Sequence, residues 1–217
     1  AEEGAAIWDN VEVLNWKTDG ENVEVETTQG RFSADQLVIT AGAWAGQMLE
    51  ECRIPFQILR KHLHWFEGDK TTDATAGFPL FFFEVADGFF YGFPKLDSSG
   101  VKVAEHSGGE VVVDPMVVDR TPDPEDSRRV DRFAQSYLRG VSRQRNRHSV
   151  CIYTMSPDGN FIVDRHPEFS NVAFAAGLSG HGFKFASVLG EVMADLALGE
   201  VIPDPLKFLS ASRIVPC

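Results

Sequence analysis

The chain has 217 residues, 43% hydrophobic and 24% charged, an ordinary globular composition that allows one large domain or two small ones. Its 32 acidic against 20 basic side chains leave a net charge of −12, which repels phosphate backbones and anionic head groups and argues against nucleic acid as a partner. No apolar run approaches the roughly 20 residues that span a bilayer, and Ala1-Glu2-Glu3-Gly4 lacks the basic and apolar regions of a signal peptide, so no membrane partner and a cytoplasmic location are expected.

The first residue is not methionine and a β pattern begins almost at once, as it would if an upstream segment had been removed. Val11-Glu12-Val13-Leu14 and Val23-Glu24-Val25-Glu26-Thr27 alternate apolar and polar side chains around the turn Asp19-Gly20-Glu21-Asn22, which predicts a hairpin. Gln36 to Gly42 is continuously apolar and ends in small residues, as a buried strand does where a ligand approaches its end, and Trp44 to Leu49 begins a short helix. His62–Glu67, Leu80–Val85, Phe89–Phe93 and Val101–His106 are aromatic, β-prone runs separated by Asp87-Gly88 and Ser98-Ser99-Gly100, which predicts an antiparallel sheet. Thr121 to Asp126 reads as a helix start, and Ser127 to Val141 as a surface helix with Val130, Phe133, Ala134, Tyr137 and Leu138 on one face. Strands are then expected over Val150–Thr154, Phe161–Asp164 and Val172–Ala176, and a long helix from about Gly182 to Gly199.

Three features carry chemistry. The stretch Gly177-Leu178-Ser179-Gly180-His181-Gly182-Phe183-Lys184 joins a strand to a helix through three glycines, the layout of a turn whose amides and helix dipole face an electron-rich group. A tight packing turn has the same spacing, whereas a dinucleotide fingerprint is disfavoured by the missing third glycine and the short chain beyond the helix. Strand alternation puts Lys102, Ala104 and His106 on one face near the aromatic run containing Tyr91, either as a lined cavity or as a solvated edge. Cys151 lies alone in Cys151-Ile152-Tyr153-Thr154, as a small buried hydrophobe or a reactive thiol, while Cys52 and Cys217 read as bystanders. The three cysteines form no CxxC pair, so no metal or disulfide framework is expected.

Gly177 to Phe185 resembles the carboxy-terminal signature of the monomeric sarcosine oxidase and N-methyltryptophan oxidase family, within the D-amino-acid-oxidase-like flavoproteins. The Cys151-x-Tyr153-Thr154 context, Pro157-Asp158, Phe161 to Asp164 and Leu37 to Trp44 follow the same pattern in the same order. The resemblance implies FAD bound covalently through Cys151, with Gly180, His181, Gly182, Phe183 and Lys184 at the pyrimidine end of the flavin and Ala41, Gly42 and Trp44 beneath the dinucleotide. It implies that Lys184 holds the substrate carboxylate, that Lys102 assists oxygen reduction, and that Tyr91 and His106 position the amine.

The implied fold is α+β: an antiparallel or mixed sheet substrate domain with flanking helices (residues 53–148), and remnants of an FAD-binding α/β domain (1–52 and 149–217) lacking its amino-terminal βαβ unit. The implied partners are a small amino acid bearing a carboxylate, molecular oxygen and a missing amino-terminal segment. The implied activity is oxidation of secondary amino acids to an imine or aldehyde with release of hydrogen peroxide. A silent fragment that does not retain FAD, or a small-carboxylate binding module, is the alternative. Spacing assigns Trp65, Phe66 and Phe90 to no particular face.

Overall fold

A computed structural model describes residues 4–215, so Cys217 lies outside it. In chain order the strands of the first stretch are β1 (Val13–Thr18), β2 (Val23–Thr27), β3 (Gly30–Ala34) and β4 (Leu37–Ile39), followed by helix α1 (Ala45–Met48). Then come β5 (Gln57–Gly68), β6 (Phe81–Val85), β7 (Gly88–Phe93), β8 (Val101–Glu105), β9 (Glu110–Val111), helix α2 (Pro124–Tyr137) and β10 (Val141–Met155). The last stretch holds β11 (Ile162–Arg165), β12 (Val172–Ala176) and helix α3 (Ala186–Ala197). Among the described residues no helix is long and apolar enough to cross a membrane. The chain divides into two compact units, Gln57–Tyr153 and the described part of Ala1–Phe56 with Thr154–Cys217.

The unit Gln57–Tyr153 is one sheet in the order β10-β5-β8-β7-β6, with β9 paired to β5. Alternation along β8 sends Val101 and Val103 to one face, where they join Phe66, Phe90 and, from α2, Val130, Phe133 and Ala134 in a core cluster. The Phe90 and Phe133 rings stack at 4.3 Å. Helix α2 starts where the Asp123 side chain accepts from the Asp126 amide at 2.6 Å and Pro124 fills the first turn. The predicted helix to Val141 is too long. Leu138 is already extended, and Gly140 has φ +77°, where a Cβ would sit 2.8 Å from Asp69 Oδ1 and Thr71 Oγ1. Val141 therefore opens β10, a strand of 15 residues in place of the short one expected from Val150. Its charged first half, Arg143 to Arg147, hides the alternation on which a strand prediction depends.

The other unit holds two sheets. The expected hairpin is present, with Asp19 Oδ1 accepting from the Glu21 and Asn22 amides at 2.9 and 2.8 Å, and β3 extends it to the order β1-β2-β3. In the second sheet β12 lies between antiparallel β11 and parallel β4. All five residues of β12 are buried because both faces are covered. Phe174 packs with Ile39, Leu49, Ile54 and Ile162 on one side, and Ala173 and Ala175 with Leu189, Val192, Met193 and Leu196 of α3 on the other. The run expected as a buried strand from Gln36 is the short β4, and its central Val38 is 39% exposed. The helix expected from Gly182 opens with a 3-10 turn, Phe183–Phe185, and becomes α-helical at Ala186. Mixed sheets with flanking helices are the fold class implied by the resemblance.

Candidate functional site

The face of the β5–β10 sheet opposite α2 gathers four of the expected site residues, Lys102, Tyr91, His106 and Cys151. Lys102 pairs across the sheet with Trp65 on β5 and with Phe93 on β7. Its ammonium consequently stands 5.6 Å from the Trp65 ring centre, 5.1 Å from Phe93 and 5.9 Å from Tyr91. Tyr91 lies opposite Ala104 and meets the His106 imidazole edge-on at 6.3 Å. Strand β10, at the edge beyond β5, supplies Cys151 and Tyr153, whose hydroxyl is 3.4 Å from His106 Nδ1 and hydrogen-bonded to Tyr91. Tyr153 was visible in the Cys151-x-Tyr153 context but received no role from the sequence. Its contacts with two expected site residues are the signal that places it here.

The electrostatics of this face are set by burial. Burial pushes the Tyr153 and Tyr91 phenols above their ordinary value, keeping both neutral donors across the physiological range. Burial also raises the Cys151 thiol, opposed by the nearby ammoniums of Lys102 and Lys61. Lys102 is lowered by burial, opposed by Cys151. The low-dielectric surroundings favour the thiol, while each ammonium favours the thiolate. Trp65 belongs to this face, whereas Phe66 and Phe90 are buried on the α2 side.

The α2 side carries a second polar group. His64 Nε2 lies 2.7 Å from Asp126 Oδ2, His62 Nδ1 lies 2.9 Å from His148 Nε2, and Arg60 Nε donates to His62 at 3.2 Å. Among the described residues no set of three or more His, Cys, Asp or Glu side chains is arranged to hold a metal ion.

In the other unit, β4 and β12 are parallel neighbours, so Ala41-Gly42 and the Gly177–Gly182 turn leave the sheet at the same carboxyl edge, where open α/β sheets take ligands. Gly177, Ser179 and Gly180 all have positive φ, at +60°, +47° and +79°, and curl the turn. Ser179 is held there by donating to Gly177 O at 2.9 Å. No side chain caps the helix start at Gly182, and Gly180, Phe183 and Lys184 are exposed. Lys184 lies with its ammonium 5.5 Å from the Phe185 ring, and His181 packs on Phe161 at 4.7 Å. Trp44 is 38% exposed, and a Cβ on Gly42 would meet nothing within 4 Å. Asp158 and Asp164 are structural. Asp158 takes both Arg213 Nε and Nη2, at 2.8 and 3.0 Å, and Asp164 accepts from Ser210 Oγ and the Ala211 amide. Cys52 is a core residue whose thiol burial pushes up to about 11.

The family described as FAD dependent oxidoreductase (DAO) matches residues 1–196 of the chain. The chain belongs to this family. It is 38% identical over 215 residues to monomeric sarcosine oxidase of Bacillus sp. (strain NS-129), covering 97% of this chain and 55% of that protein. With N-methyl-L-tryptophan oxidase of Citrobacter koseri it shares 36% identity over 203 residues, 92% of this chain and 53% of that protein. These relatives bear out the resemblance read from the motifs, and the chain spans about half of their length. Among solved structures, L-proline dehydrogenase from P. horikoshii superposes with a TM-score of 0.78 at 23% identity, over 98% of this chain and 56% of that one. Glycine oxidase from Geobacillus kaustophilus gives 0.74 at 20%, over 97% and 54%. Both share the fold.

The residues of this FAD dependent oxidoreductase chain fit the cofactor that its family implies. An uncapped helix start preceded by a glycine-curled turn offers unspent amides and the positive end of a dipole, the donor set for an electron-rich ring edge. The open space over Gly42 leaves the end of β4 accessible to a ligand.

Proposed function

We propose that this chain supplies the flavin-attachment and amine-binding side of an oxidase acting on N-methyl or other secondary amino acids. The observation that carries the reading is the face on which Lys102, Tyr91, His106, Tyr153 and Cys151 stand together. Gln57–Tyr153 is read as the substrate domain and the other unit as part of the FAD-binding domain.

FAD, when bound, would supply the two-electron redox chemistry: acceptance of a hydride equivalent from the carbon beside nitrogen and its return to oxygen, giving an imine and hydrogen peroxide. Cys151 Sγ is the attachment atom for the flavin 8α-methyl group. Lys102 provides a fixed positive charge, enclosed by three rings, for the anion that forms as oxygen is reduced. His106, held by Tyr153, and the neutral Tyr91 hydroxyl orient the amine with its lone pair free. Gly180 to Phe183 would hold the flavin pyrimidine edge with backbone amides, Ala41, Gly42 and Trp44 would hold the dinucleotide, and Lys184 would bind the substrate carboxylate as a point charge.

The match to about half of each relative favours a second reading, in which the chain alone retains FAD weakly and turns nothing over. Anaerobic addition of an N-methyl amino acid to flavin-loaded protein separates the two. Bleaching of the flavin, with re-oxidation slowed in Lys102→Met but reduction preserved, supports the oxidase; no bleaching with any N-methyl amino acid supports the silent chain.

A further inference from the structure

Lys61 is 3% exposed on β5, and nothing in the proposed chemistry uses it. Its ammonium donates to three consecutive carbonyls of the segment after β8, His106 O at 3.2 Å, Ser107 O at 2.6 Å and Gly108 O at 3.0 Å. An ammonium has three donors, so all of them are spent on this one turn. Three successive carbonyls converge on a point where the backbone curls, and Gly108 and Gly109, at φ +61° and +119°, provide the curl. A Cβ on Gly109 would lie 3.0 Å from Lys61 Cδ and 3.2 Å from Arg60 O, so the turn is fitted against the lysine stem as well as its tip. The same ammonium lies 5.5 Å from the centre of the Tyr153 ring, whose hydroxyl is 3.4 Å from His106 Nδ1.

Lys61 thus holds both ends of one contact: the backbone from which the His106 imidazole projects, and the ring that the imidazole meets. An apolar residue of similar length would fill the volume and leave three buried carbonyls without donors. We propose that Lys61 is the positioning residue for His106, fixing the imidazole against Tyr153 and Tyr91 without touching substrate. The inference rests on the reading of His106 as an amine-positioning residue. It predicts that the geometry of the site depends on a charge that is not part of it.

The test is imidazole NMR of the 217-residue chain without flavin, its histidines labelled and the His106 resonances assigned through His106→Gln. In Lys61→Met the His106 resonances move and broaden while those of His166, in the other unit, keep their positions; Lys61→Arg, which keeps charge and donors, returns them towards the wild type. Gly109→Ala gives a second route, displacing the turn while leaving the lysine in place, and produces the same movement should Lys61→Met fail to fold. His106 resonances at their wild-type positions in folded Lys61→Met or in Gly109→Ala overturn the proposal. Because no flavin is present, a failure to oxidise amines would sink the functional reading alone, and an unmoved His106 would sink this one alone.

Discussion

Trp65 and Lys102 are direct partners across β5 and β8, and the Lys102 ammonium stands 5.6 Å from the centre of the indole ring. With Phe93 on the other flank and Tyr91 above, a cation is enclosed by aromatic surface on a sheet face. Two opposing effects meet there. Ring faces favour the charged form by about 0.5–2 kcal/mol per good contact, while loss of water disfavours it. Burial pushes the Lys102 pKa below its ordinary 10.5. Trp65→Ala admits water, and the Lys102 pKa should rise towards 10.5. NMR of reductively methylated lysines reads this directly; a further fall would mean that the cation–ring contact dominates.

Replacing the Tyr153 hydroxyl removes the partner of His106 Nδ1 and of Tyr91. A neutral hydrogen bond contributes about 0.5–1.5 kcal/mol, up to about tenfold in an equilibrium constant. In flavin-loaded protein, Tyr153→Phe should raise KM for the amine within that range and change kcat less. Stopped-flow reduction of the flavin checks it, and an unchanged KM would remove Tyr153 from the site.

The stack of His62 and His148 makes the protein sensitive to acid. Burial lowers both imidazoles, His148 from 6.5 to about 4, with the neighbouring His62 and His64 adding to the effect. The folded state therefore binds fewer protons than the unfolded chain between these values, and stability must fall as the pH drops from about 6.5 towards 4, then level off. His148→Gln should flatten part of that slope in urea titrations across the window. An identical slope would show that carboxylates elsewhere carry the acid response.

Two substitutions on α2 separate local from core effects. Asp123→Ala removes the helix cap and should cost about 1 kcal/mol. Phe133→Ala empties the ring stack on Phe90 and Phe83 and should cost about 3–5 kcal/mol. Chemical denaturation gives both. A cap loss exceeding the core loss would contradict the packing described for this sheet.

Much of the site was legible because its parts are local in sequence. Lys102, Ala104 and His106 share a face by alternation alone, and the glycine turn announces itself between β12 and α3. What escaped is non-local. Trp65 is set opposite Lys102 by sheet register, which no pattern within either strand specifies. Lys61 reaches a turn 45 residues away, and its three carbonyl acceptors leave no trace in side-chain composition. The run of charges from Arg143 to Arg147 hides the first half of β10, because these side chains are largely exposed on a strand held by its neighbour β5. An apolar run predicts a buried Val38, but among the described residues β4 pairs with β12 alone and Val38 is 39% exposed.

Flavin attachment at Cys151 is tested by the absorption spectrum and intact mass of two preparations, the chain expressed alone and the chain expressed alongside the amino-terminal half of its 38%-identical sarcosine oxidase relative. The prediction is a yellow protein whose mass includes one FAD that survives acid precipitation, with the label confined to the peptide containing Cys151 and lost in Cys151→Ala. Flavin released by acid, flavin attached at another residue, or no flavin in either preparation would contradict it.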